Sequence, residues 1–159
     1  LEEVDFHDVL IDATDEMWSL AKNKQIDIVN DIPEGDYPVR IDRALMTRAV
    51  VNLLSNAINY SPPNTKIACT VRMQETLEGP QVLCGIRDQG YGIAPGDQIK
   101  IFRRFQRVDI PNQPRHEGIG LGLVFVKTVI ERHAGQISFS SKVGEGTEFT
   151  LALPAVVPA

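Results

Sequence analysis

The spacing of apolar positions divides the chain into elements before any motif is considered. After Asp5, the residues Val9, Leu10, Ala13, Met17, Leu20 and Ala21 recur at helical intervals and predict a first helix of about four turns. QIDIVNDIP predicts a short strand, closed by Pro33 and a turn at EGDYP. A strongly apolar helix follows, with Asp42 as its N-cap, and it must stop before SPPN because Pro62 and Pro63 cannot continue it. Two segments then alternate with period two. KIACTVRM places Ile67, Cys69, Val71 and Met73 on one face, and QVLCGIRD does the same with Val82, Cys84 and Ile86. Joined by QETLEGP, they predict an antiparallel pair with one face on the core.

From about Gly90 to Gly118 the pattern breaks. A short amphipathic piece around IKIFRRF is followed by RVDIPNQPRHE, which has no periodicity. An aperiodic run of that length inside a compact domain is usually functional or mobile. Beyond it, LGLVFVKTVIERHAG predicts a helix with Gly135 at the C′ position, and QISFSS and TEFTLALP predict strands around the tight turn KVGEG. The order is helix, strands, helix, strands, loop, helix, hairpin. It predicts an α+β fold, a two-layer α/β sandwich whose mixed, mostly antiparallel sheet carries helices on one face.

Composition narrows the picture. The chain has 159 residues, 43% hydrophobic and 23% charged, enough for one domain spanning residues 1–159 with a real core. Nothing approaches 18 consecutive apolar residues, so no membrane contact by this piece is expected. A net charge of −5 argues against a nucleic-acid surface, and the local cluster Arg103, Arg104, Arg107 and Arg115 reads as a solvated patch. Cys69 and Cys84 lack metal-ligand spacing and read as reduced core residues of an intracellular protein. The start at Leu1, without initiator methionine or secretion signal, suggests a fragment of a longer polypeptide.

The candidate chemistry begins in NLLSNAINYSP. Asn52, Asn56 and Asn59, four and then three residues apart, return to one helix face. Asparagine is a mediocre helix former, and a buried amide must be hydrogen-bonded, so a stripe of them needs something polar opposite. Asp88 falls on the same inward row as Cys84 and Ile86. It either caps the turn DQGYG or accepts from an exocyclic amino group of a ligand. Gly90 and Gly92 permit a sharp turn or a close approach of backbone to a flat ligand. In GIGLGL, Gly118, Gly120 and Gly122 open a helix, an arrangement that presents N–H groups and a favourable dipole to phosphate. A loop precedes them rather than a strand, so a dinucleotide-binding reading fails, while a flexible hinge remains open.

Taken in order, these segments resemble the ATP-binding catalytic domain of sensor histidine kinases, of the Bergerat fold shared with gyrase and MutL ATPases. NLLSNAINYSP resembles the N box, DQGYGI the first glycine box, IFRRFQR the F box, GIGLGL the second glycine box and GEGTEF the third. VDFHDVLIDA resembles the segment that follows the family's helical hairpin. The resemblance implies ATP and Mg²⁺ as cofactors. It implies that Asn56 holds Mg²⁺ between phosphate oxygens, that Asn52 makes a second polar contact there, and that the two carry the catalytic role. Asp88 would read adenine, Gly118, Gly120 and Gly122 would form the phosphate-side hinge of an ATP lid over about residues 94–117, and Thr147 would support the nucleotide. Asn59, Tyr60, Gly90, Gly92, Ile93, Arg104, Arg107, Ile119, Leu121 and Leu123 complete the implied nucleotide-binding set. Phe102 and Phe105 match aromatic anchors of the lid, with core packing as the alternative. Two departures stand out: Asn59 occupies a position where the family commonly has Lys or Arg, and Gln106 one where it often has Tyr.

The implied activity is donation of the γ-phosphate of ATP to a histidine on a separate dimerisation domain. The implied partners are the parent's own helical hairpin and a response regulator, in a homodimeric cytoplasmic parent of which this piece would be monomeric. No acceptor is expected within the chain, because His7, His116 and His133 all lack the family's acceptor pattern. His133, near a helix end beside Gly135, reads as solvated. A water-activating ATPase of the gyrase or MutL kind would carry a glutamate at the position of Asn52, which cannot take a proton. The remaining alternative is a degenerate nucleotide-binding module, which Asn59 favours and the intact Asn56, Asp88 and glycine boxes oppose.

Overall fold

A computed structural model of the chain describes residues 1–99, 101, 102 and 119–157, with backbone only for 119–122. The chain opens with β1 (Glu2–Asp5) and passes directly into α1 (Phe6–Asn23). Asp5 caps this helix, its Oδ1 accepting from His7 N at 3.0 Å. Phe6, Val9, Leu10, Ala13, Met17 and Ala21 are buried, as the periodicity requires. Leu20 is 44% exposed, because at about 100° per residue it falls on the edge of that stripe.

β1 pairs antiparallel with β3 (Pro38–Ile41) in a small separate sheet, with Glu2 opposite Ile41. Sequence periodicity overlooked both strands, since each has only four residues and β3 sits behind a turn-like EGDYP. α2 (Arg43–Asn59) begins where Asp42 Oδ1 accepts from Leu45 N at 3.0 Å, and it ends at Tyr60, just before the prolines. Its buried stripe includes Met46, Val50, Leu53, Leu54, Ala57 and Ile58. α2 packs against α1 on one side and α4 (Ile119–Arg132) on the other. Arg43 and Arg48 of α2 form ion pairs with Asp12 and Glu16 of α1.

The helices cover one face of a five-stranded sheet ordered β2-β4-β5-β7-β6. β2 (Asp27–Asp31) runs parallel to β4 (Lys66–Thr76), whereas β5 (Gly79–Asp88), β7 (Gly146–Pro154) and β6 (Gln136–Lys142) continue antiparallel. This is the mixed, mostly antiparallel sheet that the element order predicts. Ile67, Cys69, Val71, Val82, Cys84, Ile86, Leu151 and Leu153 form the inward rows. Met73, expected on that face of the core, is 43% exposed. β2 ends where Asp31 opposes Thr70, so beyond that point β4 has no strand on its outer side, although the β4–β5 pair continues until Thr76 opposes Gly79. Both cysteines are unbonded and buried, and burial pushes the Cys69 thiol up to about 12, consistent with core residues rather than reactive ones.

α4 ends one residue differently from the expectation. Ala134, not Gly135, takes the left-handed conformation, with φ 58°. Gly135 N donates to Ile130 O at 2.9 Å and Ala134 N to Glu131 O at 3.1 Å, the bond pair of a Schellman motif. Glycine at 135 answers a packing need instead, since a Cβ there would lie 2.5 Å from the carbonyl oxygen of Ala152 on β7. A four-residue helix, α3 (Pro95–Gln98), lies between β5 and α4.

Candidate functional site

Asp88 ends β5 on the inward row, opposite Ile67 of β4. Its Oδ1 accepts from Gly90 N at 2.9 Å and from Thr147 N at 3.1 Å, while Oδ2 takes no hydrogen bond from the described residues. Turn capping and ligand recognition are therefore not exclusive: one oxygen caps the turn and ties β5 to β7, and the other is left for a donor. The side chain is buried, which raises its pKa to about 6 although the two amide bonds act in the opposite direction. Ionised Asp88 is thus held at a cost, and a ligand donor at Oδ2 would reduce it.

Around this carboxylate lies a narrow recess, with about 410 Å³ of atom-free space when its solvent-open mouth is included. α2 supplies Leu53, Asn56, Ala57 and Tyr60; β5 supplies Ile86 and Asp88; Gly92 and Ile93 follow β5; and β7 supplies Thr147 and Phe149. The walls are mostly apolar, with polar side-chain atoms from Asp88, Asn56, Thr147 and Tyr60, a composition suited to a flat ring with a polar edge. Behind the recess, Ser141 joins its parts. Ser141 Oγ accepts from Ile93 N at 2.8 Å and lies 2.7 Å from Thr147 Oγ1.

The glycines of DQGYGI serve the protein's own packing more than ligand approach. A Cβ on Gly90 would meet Tyr60 O at 2.5 Å, and one on Gly92, where φ is 77°, would meet Lys142 O at 2.2 Å. Gly146 is similarly pressed against Asp88 O, at 2.2 Å. These contacts let the ends of β5, β7 and α2 close around Asp88.

The asparagine stripe divides by role. Asn56 lines the recess, and its Nδ2 is buried with no partner among the described residues. Such a group signals a missing acceptor, and turning the amide by about 180° would instead present its carbonyl oxygen. Asn52 is half-buried outside the lining, and Asn59 is exposed, with its main-chain carbonyl accepting from Lys24. The donor set fits an adenine nucleotide: apolar walls, an open carboxylate oxygen and an unsatisfied amide. It fits Mg²⁺ only jointly with phosphate oxygens, because no group of three or more His, Cys, Asp or Glu converges among the described residues.

Arg104, Arg107 and Gly118, with Phe105, Gln106 and His116, lie outside the described residues, as does most of the expected lid. Ile119, Gly120, Leu121 and Gly122 form the first turn of α4 by backbone, and Leu123 is fully buried in the core. Phe102 packs edge-to-face on Phe139 with centroids 5.8 Å apart, so it takes part in the core. His133 is not the solvated residue that its position suggested. Its Nδ1 lies 2.7 Å from Val129 O and its Nε2 accepts from Asp42 N at 3.1 Å, linking the end of α4 to the start of α2.

Sequence reasoning overlooked Leu53, Ala57, Ile86 and Phe149 as walls, because their spacing marks only a core. It also overlooked Ser61, fully buried with its Oγ unpartnered among the described residues, and Ser141; neither belongs to a motif with chemical meaning by itself.

Comparison with known proteins follows this geometry. Residues 41–157 match the family described as histidine kinase-, DNA gyrase B-, and HSP90-like ATPase. The sensor-like histidine kinase SenX3 of Mycolicibacterium smegmatis is 39% identical over 154 residues, which cover 97% of this chain and 39% of SenX3. The chain thus spans well under half the length of that relative. The mycobacterial sensor histidine kinase MprB superposes with a TM-score of 0.79 at 28% identity, over 96% of this chain and 97% of that one. Full-length ShkA in complex with AMPPNP shares the fold, with a TM-score of 0.81 over 100% of this chain and 32% of its own, at 24% identity.

Proposed function

The chain belongs to the histidine kinase-, DNA gyrase B- and HSP90-like ATPases, as an ATP-binding catalytic domain of the sensor histidine kinase type, and we propose that it binds Mg-ATP and presents the γ-phosphate to a histidine on a separate dimerisation domain. The observation that carries this reading is Asp88: one carboxylate oxygen fixed by two amides, the other open at the wall of an apolar recess.

In this reading the adenine lies among Leu53, Ile86, Ile93 and Phe149, and its amino group donates to Asp88 Oδ2. The Thr147 hydroxyl, held by Ser141, supports the ring edge. Asn56 and Asn52 face the phosphates, where bound Mg²⁺ would neutralise charge on the transferring group. Tyr60, Gly90, Gly92 and Ile93 shape the recess, and Asn59 stands at its margin. Arg104, Arg107 and the segment Gly118–Leu123 belong to the phosphate side, with residues 94–117 as a lid over a single domain of residues 1–159. Phosphoryl transfer needs positioning and charge neutralisation more than covalent chemistry from this domain.

The alternative of water-directed ATP hydrolysis finds no spare base in the described recess, because its one carboxylate, Asp88, holds Gly90 and Thr147 through Oδ1 and in this reading takes the adenine amino group at Oδ2. The phosphoacceptor lies on the parent's helical hairpin, and a response regulator then receives the phosphate. That parent is homodimeric and works in the cytoplasm. No helix among the described residues is long and apolar enough to cross a membrane. Incubation with labelled ATP tests the transfer: acid-labile label should reach an added histidine-bearing hairpin of the parent while the chain alone stays unlabelled. Label retained on this chain would place the acceptor here instead.

A further inference from the structure

The last turn of α2 is held from outside by α1. Lys24, the C-cap residue of α1, reaches across to two main-chain carbonyls. Its Nζ donates to Ile58 O at 2.9 Å and to Asn59 O at 3.0 Å. These carbonyls lie at the C-terminus of a helix, where acceptors lack intrahelical partners and the dipole favours a cation. The neighbouring backbone is joined as well. Asn64 N donates to Gln25 O at 2.8 Å, and Asp27 N to Thr65 O at 3.2 Å. The segment just after α1 is therefore fastened to the segment just after α2, with the Lys24 ammonium as the one charged fastening among these bonds.

The fastened turn carries recess residues. Tyr60 N donates to Asn56 O at 3.0 Å, so both belong to the turn whose last carbonyls Lys24 holds, and both line the recess. Tyr60 O in turn accepts from Tyr91 N at 3.4 Å, inside the glycine turn that follows Asp88. A displacement of this turn would move Asn56 and Tyr60 together, while Asp88 keeps its bond from Thr147 on β7.

We propose that Lys24 is a positioning residue for the nucleotide site: its ammonium fixes the final turn of α2 and so sets Asn56 against the phosphate side of the ligand, without touching the ligand itself. The inference rests on the reading of the recess as an ATP site. Its test compares Lys24→Met and Lys24→Arg with the unaltered chain, titrating Mg-ATP and, separately, adenosine at a temperature where circular dichroism shows each variant folded. Lys24→Met is expected to weaken Mg-ATP binding about tenfold and adenosine binding less than about threefold, and Lys24→Arg to restore Mg-ATP binding to within about threefold. Lys24→Gln, which keeps an N–H donor without the charge, replaces Lys24→Met if that variant does not fold. Unchanged Mg-ATP affinity in the neutral variant would overturn the proposal. Equal losses for Mg-ATP and adenosine would also overturn it, because they mark a role in stability alone. An unaltered chain that binds neither ligand would sink the reading of the site, and the inference with it.

Discussion

Thr147 on β7 donates its amide hydrogen to Asp88 Oδ1 at the end of β5, at 3.1 Å, and so joins two neighbouring strands just beyond their ladder. The bond fixes the carboxylate plane while leaving its second oxygen to the recess. A buried group held this way should report its environment through pH.

Burial raises the Asp88 pKa to about 6, above its value in the unfolded chain. The folded state therefore binds more protons over roughly pH 4 to 6, and stability falls as pH rises through that window. The total contribution is on the order of 3 kcal/mol. Urea denaturation between pH 4 and 7 should show that decline in the unaltered chain and lose it in Asp88→Asn.

Ligand binding should have the opposite pH dependence. Only the ionised carboxylate offers Oδ2 purely as an acceptor, so adenosine affinity should level off above about pH 7 and fall toward tenfold per unit below about pH 6. Adenosine avoids the titrating phosphates of ATP. Affinity constant from pH 5 to 7 would show that Asp88 does not contact the ring.

Gly146 and Gly144 provide a paired test of packing. Both have positive φ, 106° and 82°, but a Cβ at 146 would lie 2.2 Å from Asp88 O, whereas one at 144 meets nothing within 4 Å. Gly144→Ala should cost about 1 kcal/mol from backbone strain alone. Gly146→Ala should cost at least about 3 kcal/mol. Equal midpoints in chemical denaturation would contradict the close packing of β7 on Asp88.

His133→Ala should destabilise the fold by about 1–2 kcal/mol, because Asp42 N loses its acceptor at the start of α2. Thermal unfolding checks this. A substitution without effect would mean that solvent satisfies the amide equally well.

α1, α2 and the inward rows of β4 and β5 were legible because long stripes at periods of 3.6 and 2 have few alternative explanations. β1 and β3 were hidden by their length of four residues, too short for alternation to stand out. Met73 keeps the alternation beyond the end of β2, where β4 becomes an edge, a limit that local pattern does not encode. At the site, Asp88 and Asn56 announced themselves as polar residues on apolar rows. Phe149, Ile86 and Leu53 did not, because a wall of a recess and a wall of a core share one pattern. The role of His133 is not written in its local sequence, since its partner, Asp42, is 91 residues away in the chain. The αL position fell to Ala134 because Gly135 was needed to pass close to Ala152.

The most direct test of Asp88 as the adenine-reading group is calorimetric titration of Mg-ATP into the unaltered chain and into Asp88→Asn. The asparagine can keep accepting from Gly90 and Thr147 through its carbonyl oxygen, but its amino end would then face the recess and oppose the adenine amino group. The variant should unfold at an equal or higher temperature at pH 7, because a buried charge has been removed, and should show no detectable heat of ATP binding. A folded Asp88→Asn that binds Mg-ATP as tightly as the unaltered chain would contradict the assignment.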